Sequence, residues 1–297
     1  MDDLKTGAAP MDLAASQVLS LTPNLSFSRR GFAKTTLGAG FALAAQPIHA
    51  QTVITTTADG LDAGLVKVPT PDGPMPAYRA RPKGKTGTSV VLVIHEIFGV
   101  HEHIKDLCRR LAHAGYYAIA PDLFARWGDA SKVSDIPTLM APGGIVSKAS
   151  DDQVKADLDA TVKFAGAQKA NIKRLAVTGF CWGGRQTWLY AEQTPAVKAA
   201  AAWYGPLNTP GKSPIGLAAG AKGRVIAFYG GKDAGILPEH VAAMRKALAD
   251  AGDTDSRIIV YPDAPHGFNA DYRSSYMPAD AKEAWANMIN WFRAHEV

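Results

Sequence analysis

Cys181 stands in the stretch Gly179-Phe180-Cys181-Trp182-Gly183-Gly184 and is one of two cysteines in 297 residues. A nucleophile on a sharp strand-to-helix turn needs small neighbours, because the backbone there is crowded and often strained. The same placement sets the sulfur near a helix N-terminus, where backbone N–H groups favour thiolate over thiol. Such a thiolate attacks carbonyl carbon when a base serves it and an acid orients the base. Asp233, after the apolar run "RVIAFYGG", and His266, in "APHGF" after "RIIVYPD", are the residues of the right types. Taken singly, each has a plainer reading: a small buried thiol, a turn former, a loop histidine. Taken together, all three follow strand-like runs, which a parallel sheet brings to one edge.

The order Cys181, Asp233, His266 is the nucleophile–acid–histidine order of α/β-hydrolases. The same edge then needs donors for an oxyanion. The N–H of Trp182, directly after the nucleophile, is one, and the N–H of Ile97, after the run "VVLVIHE", is the expected second. Glu96 is itself a candidate, since a carboxylate at the end of a buried strand is costly without a purpose. His95-Glu96 and His101-Glu102-His103 lack the HExxH spacing of a helical zinc site, so no metal is expected.

The elements that must position these residues follow from the pattern. "LVKVPTP" and "MPAYRARP" read as an antiparallel pair around Pro71-Asp72-Gly73. "SVVLVIHE", "YYAIAPDL", "KRLAVTGF", "KAAAAWYG", "RVIAFYGGKD" and "RIIVYPD" read as further strands. Between and after them, "HIKDLCRRLAHAG", "DDQVKADLDATVKFAGAQ", "LPEHVAAMRKALADAG" and residues 279–295 carry helical spacing, with Cys108 on an apolar stripe. A Gly- and Pro-containing loop is expected from "YYAIAPDL" to Ser150. The alternation predicts an α/β fold with a mostly parallel central sheet and helices on both faces.

Residues 1–50 are of another kind. Arg29-Arg30 precede Phe32 and Lys34, then a weakly apolar run from Leu37 to Ala45 and a small residue at Ala50. This is the pattern of a twin-arginine export signal, so residues 51–297 are expected to be a single domain that is periplasmic or secreted. The apolar run is far shorter than the ~20 residues that span a bilayer, and no stable membrane insertion is expected. The net charge of +5 falls only to about +4 without the leader, so the basic balance belongs to the domain. Basic residues lie scattered among acidic ones, which argues against nucleic acid and leaves anionic small molecules as fitting partners. Two cysteines exclude a disulfide framework.

The motifs "HEIFGV" at 95–100, "PDLFAR" at 121–126, "GFCWGG" at 179–184, "GGKD" at 230–233 and "HGF" at 266–268 resemble those of the dienelactone hydrolase (carboxymethylenebutenolidase) family. The resemblance runs from about residue 64 to the C-terminus. It implies a Cys181–His266–Asp233 triad, with Glu96 as the extra carboxylate that controls ionisation of the thiol. It implies that Arg126 engages a substrate carboxylate. The family's second arginine, shortly after the histidine, is absent at the matching place, which holds Ala270; Arg273 is the nearest replacement. Tyr204 is expected to line the pocket. The implied reaction is hydrolysis of lactone or ester bonds in carboxylated small substrates, without metal or organic cofactor, by a monomer or small homo-oligomer. A broad carboxylesterase or thioesterase, and a non-catalytic ligand-binding scaffold, are the other readings.

Overall fold

An antiparallel hairpin of β1 (Leu61–Thr70) and β2 (Gly73–Pro82) leads the sheet, in register from Leu61 with Pro82 to Thr70 with Gly73. Gly73 closes the turn at φ +111°, where a side chain would be strained. The computed structural model describes residues 53–297 apart from Ser134 and Gly223, so the expected leader lies outside the described residues. The remaining strands are β3 (Ser89–Ile94), β4 (Tyr117–Pro121), β5 (Asn171–Phe180), β6 (Val197–Trp203), β7 (Val225–Gly230) and β8 (Arg257–Tyr261). They form an eight-stranded sheet in the order β1-β2-β4-β3-β5-β6-β7-β8. Only the β1–β2 and β2–β4 pairings are antiparallel.

Every residue of β3, β4 and β7 is buried. Successive strand residues point to opposite faces, so unbroken burial means that these strands are covered on both sides. The cover comes from the longer helices: α1 (Glu102–His113), α2 (Asp151–Ala167), α3 (Trp182–Gln193), α4 (Pro238–Asp250) and α5 (Pro278–Ala294). Helix α1 packs on β2 and β4, α3 on β5 and β6, and α5 on β6 and β7. Ser150 caps α2 by accepting the Gln153 N–H at 3.3 Å.

Two local expectations change. The run "SVVLVIHE" leaves the sheet at Ile94, the last residue of β3 paired with β5, opposite Gly179. His95 and Glu96 therefore belong to the loop beyond the strand. The stretch up to Ser150 is also not plain loop. It holds short helical turns at Ile136–Met140 and Ile145–Lys148, the first capped by Asp135 on the Thr138 N–H. Turns this short carry too little periodicity to stand out in sequence.

Candidate active site

Cys181 is the residue between β5 and α3, held at φ +55° and ψ −120°. A side chain in that region costs about 1–3 kcal/mol and persists only where the surroundings enforce it. The enforcement is visible. The Cys181 N–H donates to Trp203 O at 2.9 Å, and the helix that starts at Trp182 runs tight against the sheet. A Cβ on Gly183 would sit 2.4 Å from Ile94 O, and one on Gly184 2.4 Å from Trp203 O. The glycines after the cysteine thus let α3 approach β3 and β6 without a clash.

Asp233 follows β7, and its Oδ1 accepts the N–H groups of Gly235 and Ile236 at 2.9 and 3.2 Å. That leaves Oδ2 to accept Nδ1–H of His266 at 2.7 Å, with both residues 4% exposed. Burial pulls the His266 pKa down, but the Asp233 carboxylate and the Cys181 sulfur outweigh it and raise the value to about 10. With Nδ1 taken by Asp233, the buried Nε2 of His266 is the ring atom that meets the Cys181 side chain and is left for chemistry.

Glu96 is 1% exposed and anchors a second polar cluster. The Tyr272 phenol donates to its Oε2, and His101 Nε2 lies 3.5 Å from the same oxygen. Burial opposes ionisation of Glu96, yet His101, Arg273 and His103 bring its pKa down to about 2. Burial also lowers the pKa of His101, against the pull of Glu96. Behind this cluster, Asp271 accepts from His103 at 3.0 Å and from Arg110 at 2.7 Å. Ile54 N–H donates to Asp271, and Thr56 N–H to Asp106, which Arg110 also binds. Arg273, 4% exposed, lies 5.9 Å from the Phe98 ring centroid. The sequence points to Arg273, and to His101 only as a metal ligand set aside, but not to Tyr272, which sits in an irregular loop where no periodicity marks it.

Ile97 and Trp182 are both buried, and Trp182 opens α3. His95 ties the loop after β3 to the one after β4. Leu123 N–H donates to its Nε2 at 3.1 Å, so Nδ1 carries the proton that bonds Glu96 O at 2.7 Å. Its ring stacks on Trp182 at 5.6 Å. Tyr204 is fully buried with its ring edge on His266, 5.0 Å between centroids.

Arg126 is held by groups of the chain itself. Its guanidinium is committed to Asp157 at 2.6 and 2.8 Å, with further bonds to Asp72 and Thr70. Asp157 is 1% exposed, and a buried carboxylate demands such a partner. Arg126 borders a cavity of about 290 Å³ beside the β1–β2 turn, which none of Cys181, Asp233, His266 or Glu96 lines. Among the described residues, no group of three or more His, Cys, Asp or Glu side chains is arranged to hold a metal ion.

The dienelactone hydrolase family model matches residues 75–296. The chain belongs to the dienelactone hydrolase family. It is 50% identical over 284 residues to a Methylorubrum extorquens protein provisionally named a carboxymethylenebutenolidase, covering 94% of this chain and 97% of that one. A provisionally named carboxymethylenebutenolidase of Escherichia coli K12 is 49% identical, with 88% and 97% covered. A crystal structure of a provisionally named dienelactone hydrolase from Klebsiella pneumoniae matches with a TM-score of 0.76 at 48% identity, covering 78% of this chain and 98% of that one. The sheet and its helices are those of an α/β-hydrolase, and the protein is a hydrolase of the dienelactone hydrolase type.

Proposed function

We propose that this dienelactone hydrolase-family enzyme cleaves lactone or ester bonds of small anionic substrates with Cys181 as nucleophile. The observation that carries the reading is the buried His266–Asp233 pair at 2.7 Å beside a cysteine in a strained, glycine-flanked turn. With its raised pKa, His266 is an imidazolium at neutral pH and stabilises a Cys181 thiolate. The thiolate attacks the carbonyl carbon, and the N–H groups of Ile97 and Trp182 receive the oxyanion. His266 Nε2 then protonates the leaving oxygen as the acyl–oxygen bond breaks. The neutral imidazole, held by Asp233, takes a proton from water, which attacks the thioester and frees the acid. Glu96, kept ionised, sets the charge against which the thiolate forms. Arg273 is the cation we assign to a substrate carboxylate, since it is buried close enough to Glu96, Cys181 and Tyr204 for them to act on it electrostatically.

Export by the twin-arginine leader at residues 1–50, giving a periplasmic or secreted enzyme, is part of this proposal. The direct test is a panel of carboxylated lactones assayed beside neutral esters, with Cys181→Ala and His266→Gln as controls. Turnover that survives in Cys181→Ala would overturn the mechanism.

A further inference from the structure

Tyr204, immediately after β6, carries two local costs at once. Its φ of +38° lies where side chains are disfavoured, and its phenol oxygen is buried with no hydrogen bond to any described group. Its N–H donates to Phe228 O at 2.7 Å, which holds the strained residue in place. Two neighbouring phenols behave differently: Tyr272 donates to Glu96, and Tyr229 to Gly205 O at 3.1 Å. Were Tyr204 present only for packing against Phe180, Phe268 and His266, phenylalanine would serve without an orphaned donor. The hydroxyl is also close enough to the reacting groups for Glu96, Tyr272 and Cys181 to act on it electrostatically. With burial, they keep it protonated, and therefore a donor, well beyond the ordinary tyrosine range.

We infer that Tyr204 is a further catalytic residue, whose phenol donates a hydrogen bond to the leaving oxygen of the substrate. This rests on Cys181 as nucleophile. The carbonyl oxygen is assigned to the N–H groups of Ile97 and Trp182, so a donor packed against His266 meets the other oxygen. The thiolate pair forms the sulfur–carbon bond, and the carbon–oxygen pair passes to the leaving oxygen. His266 supplies the proton; Tyr204 keeps its own and stabilises the charge that develops before transfer is complete.

The test is Tyr204→Phe, assayed on an alkyl ester and on a p-nitrophenyl ester of the same acid. A hydrogen bond to developing charge predicts a fall of about ten- to a hundredfold in kcat/KM for the alkyl ester. The p-nitrophenyl ester, whose leaving oxygen needs little help, should lose much less. The variant should melt at the same temperature or higher, because a buried unpaired hydroxyl has been removed. The pH profile of Cys181 alkylation by iodoacetamide should not move. Unchanged kcat/KM, equal losses on both esters, or a variant that melts earlier or fails to fold would each overturn the inference. Turnover retained by Cys181→Ala removes the nucleophile and this inference with it, a result the Tyr204 variant alone cannot produce.

Discussion

Oδ2 of Asp233 lies 2.7 Å from Nδ1 of His266 in a setting closed to solvent. Burial disfavours the imidazolium; Asp233 and Cys181 more than offset it, so the folded pKa of about 10 stands above the ordinary 6.5. A raised folded pKa gives stability that is fully present below about pH 6.5 and lost as pH rises through about 10. The Tm gap between wild type and Asp233→Asn should therefore be widest at about pH 6 and narrow steadily toward pH 10.5. At pH 7 the variant should lose up to about 10⁴-fold in kcat. A gap that stays constant with pH counts against the pair.

The two cysteines should separate cleanly. Burial raises the Cys108 thiol far above the ordinary range, and it is fully buried on α1. Iodoacetamide should modify Cys181 first, with loss of activity that substrate slows, and reach Cys108 only on unfolding. Mass mapping of the alkylated residue checks the order.

Glu96 titrates in the opposite sense to His266. Its folded pKa of about 2 lies below the ordinary 4.5, so its stabilisation is present above about pH 4.5 and lost as pH falls through 2. Glu96→Gln should flatten the acid side of the Tm profile. At pH 7 it should cost about 1.5–3 kcal/mol, because the buried Tyr272 phenol loses its carboxylate acceptor. Denaturant titration at pH 7 and pH 3 measures both effects.

The two arginines should part company. Arg126→Ala leaves Asp157 without its bidentate partner, at a cost of about 3–5 kcal/mol in stability, and should affect acidic and neutral substrates alike. Arg273→Ala should lower kcat/KM about ten- to a hundredfold more for carboxylated lactones than for neutral esters. Equal losses for Arg273→Ala would leave no assigned contact for a substrate anion.

Replacing Arg29 and Arg30 together by lysine should hold the precursor in the cytoplasm while the enzyme folds and turns over normally. Fractionation by immunoblot reads the outcome. A wild-type distribution in the double variant removes the export proposal.

The sheet was legible because its strands are apolar runs bounded by turn residues, and Cys181 because glycines crowd it in "GFCWGG". Asp233 and His266 were findable for the same reason, each just past a strand. For Arg126, the sequence neighbours show its place after β4 but not that Asp157, 31 residues on, binds its guanidinium. Tyr272 left no trace in the pattern, and His101 stood out only as part of a His-Glu-His run. Their meeting at Glu96 spans 176 and five residues of chain and depends on loop paths that no repeat of two or 3.6 encodes.

Ile54 and Thr56 lend their backbone N–H groups to Asp271 and Asp106, and Asp271 immediately precedes the tyrosine that holds Glu96. The tolerance of this enzyme for trimming at its front end is therefore set by the reaction centre and not by the sheet. A chain cut back to Thr57 keeps every strand from β1 onward, yet withdraws a donor from each of two buried carboxylates. Trimming at this boundary should therefore lower turnover before it disturbs the sheet, because the residues ahead of β1 brace the carboxylates behind Glu96.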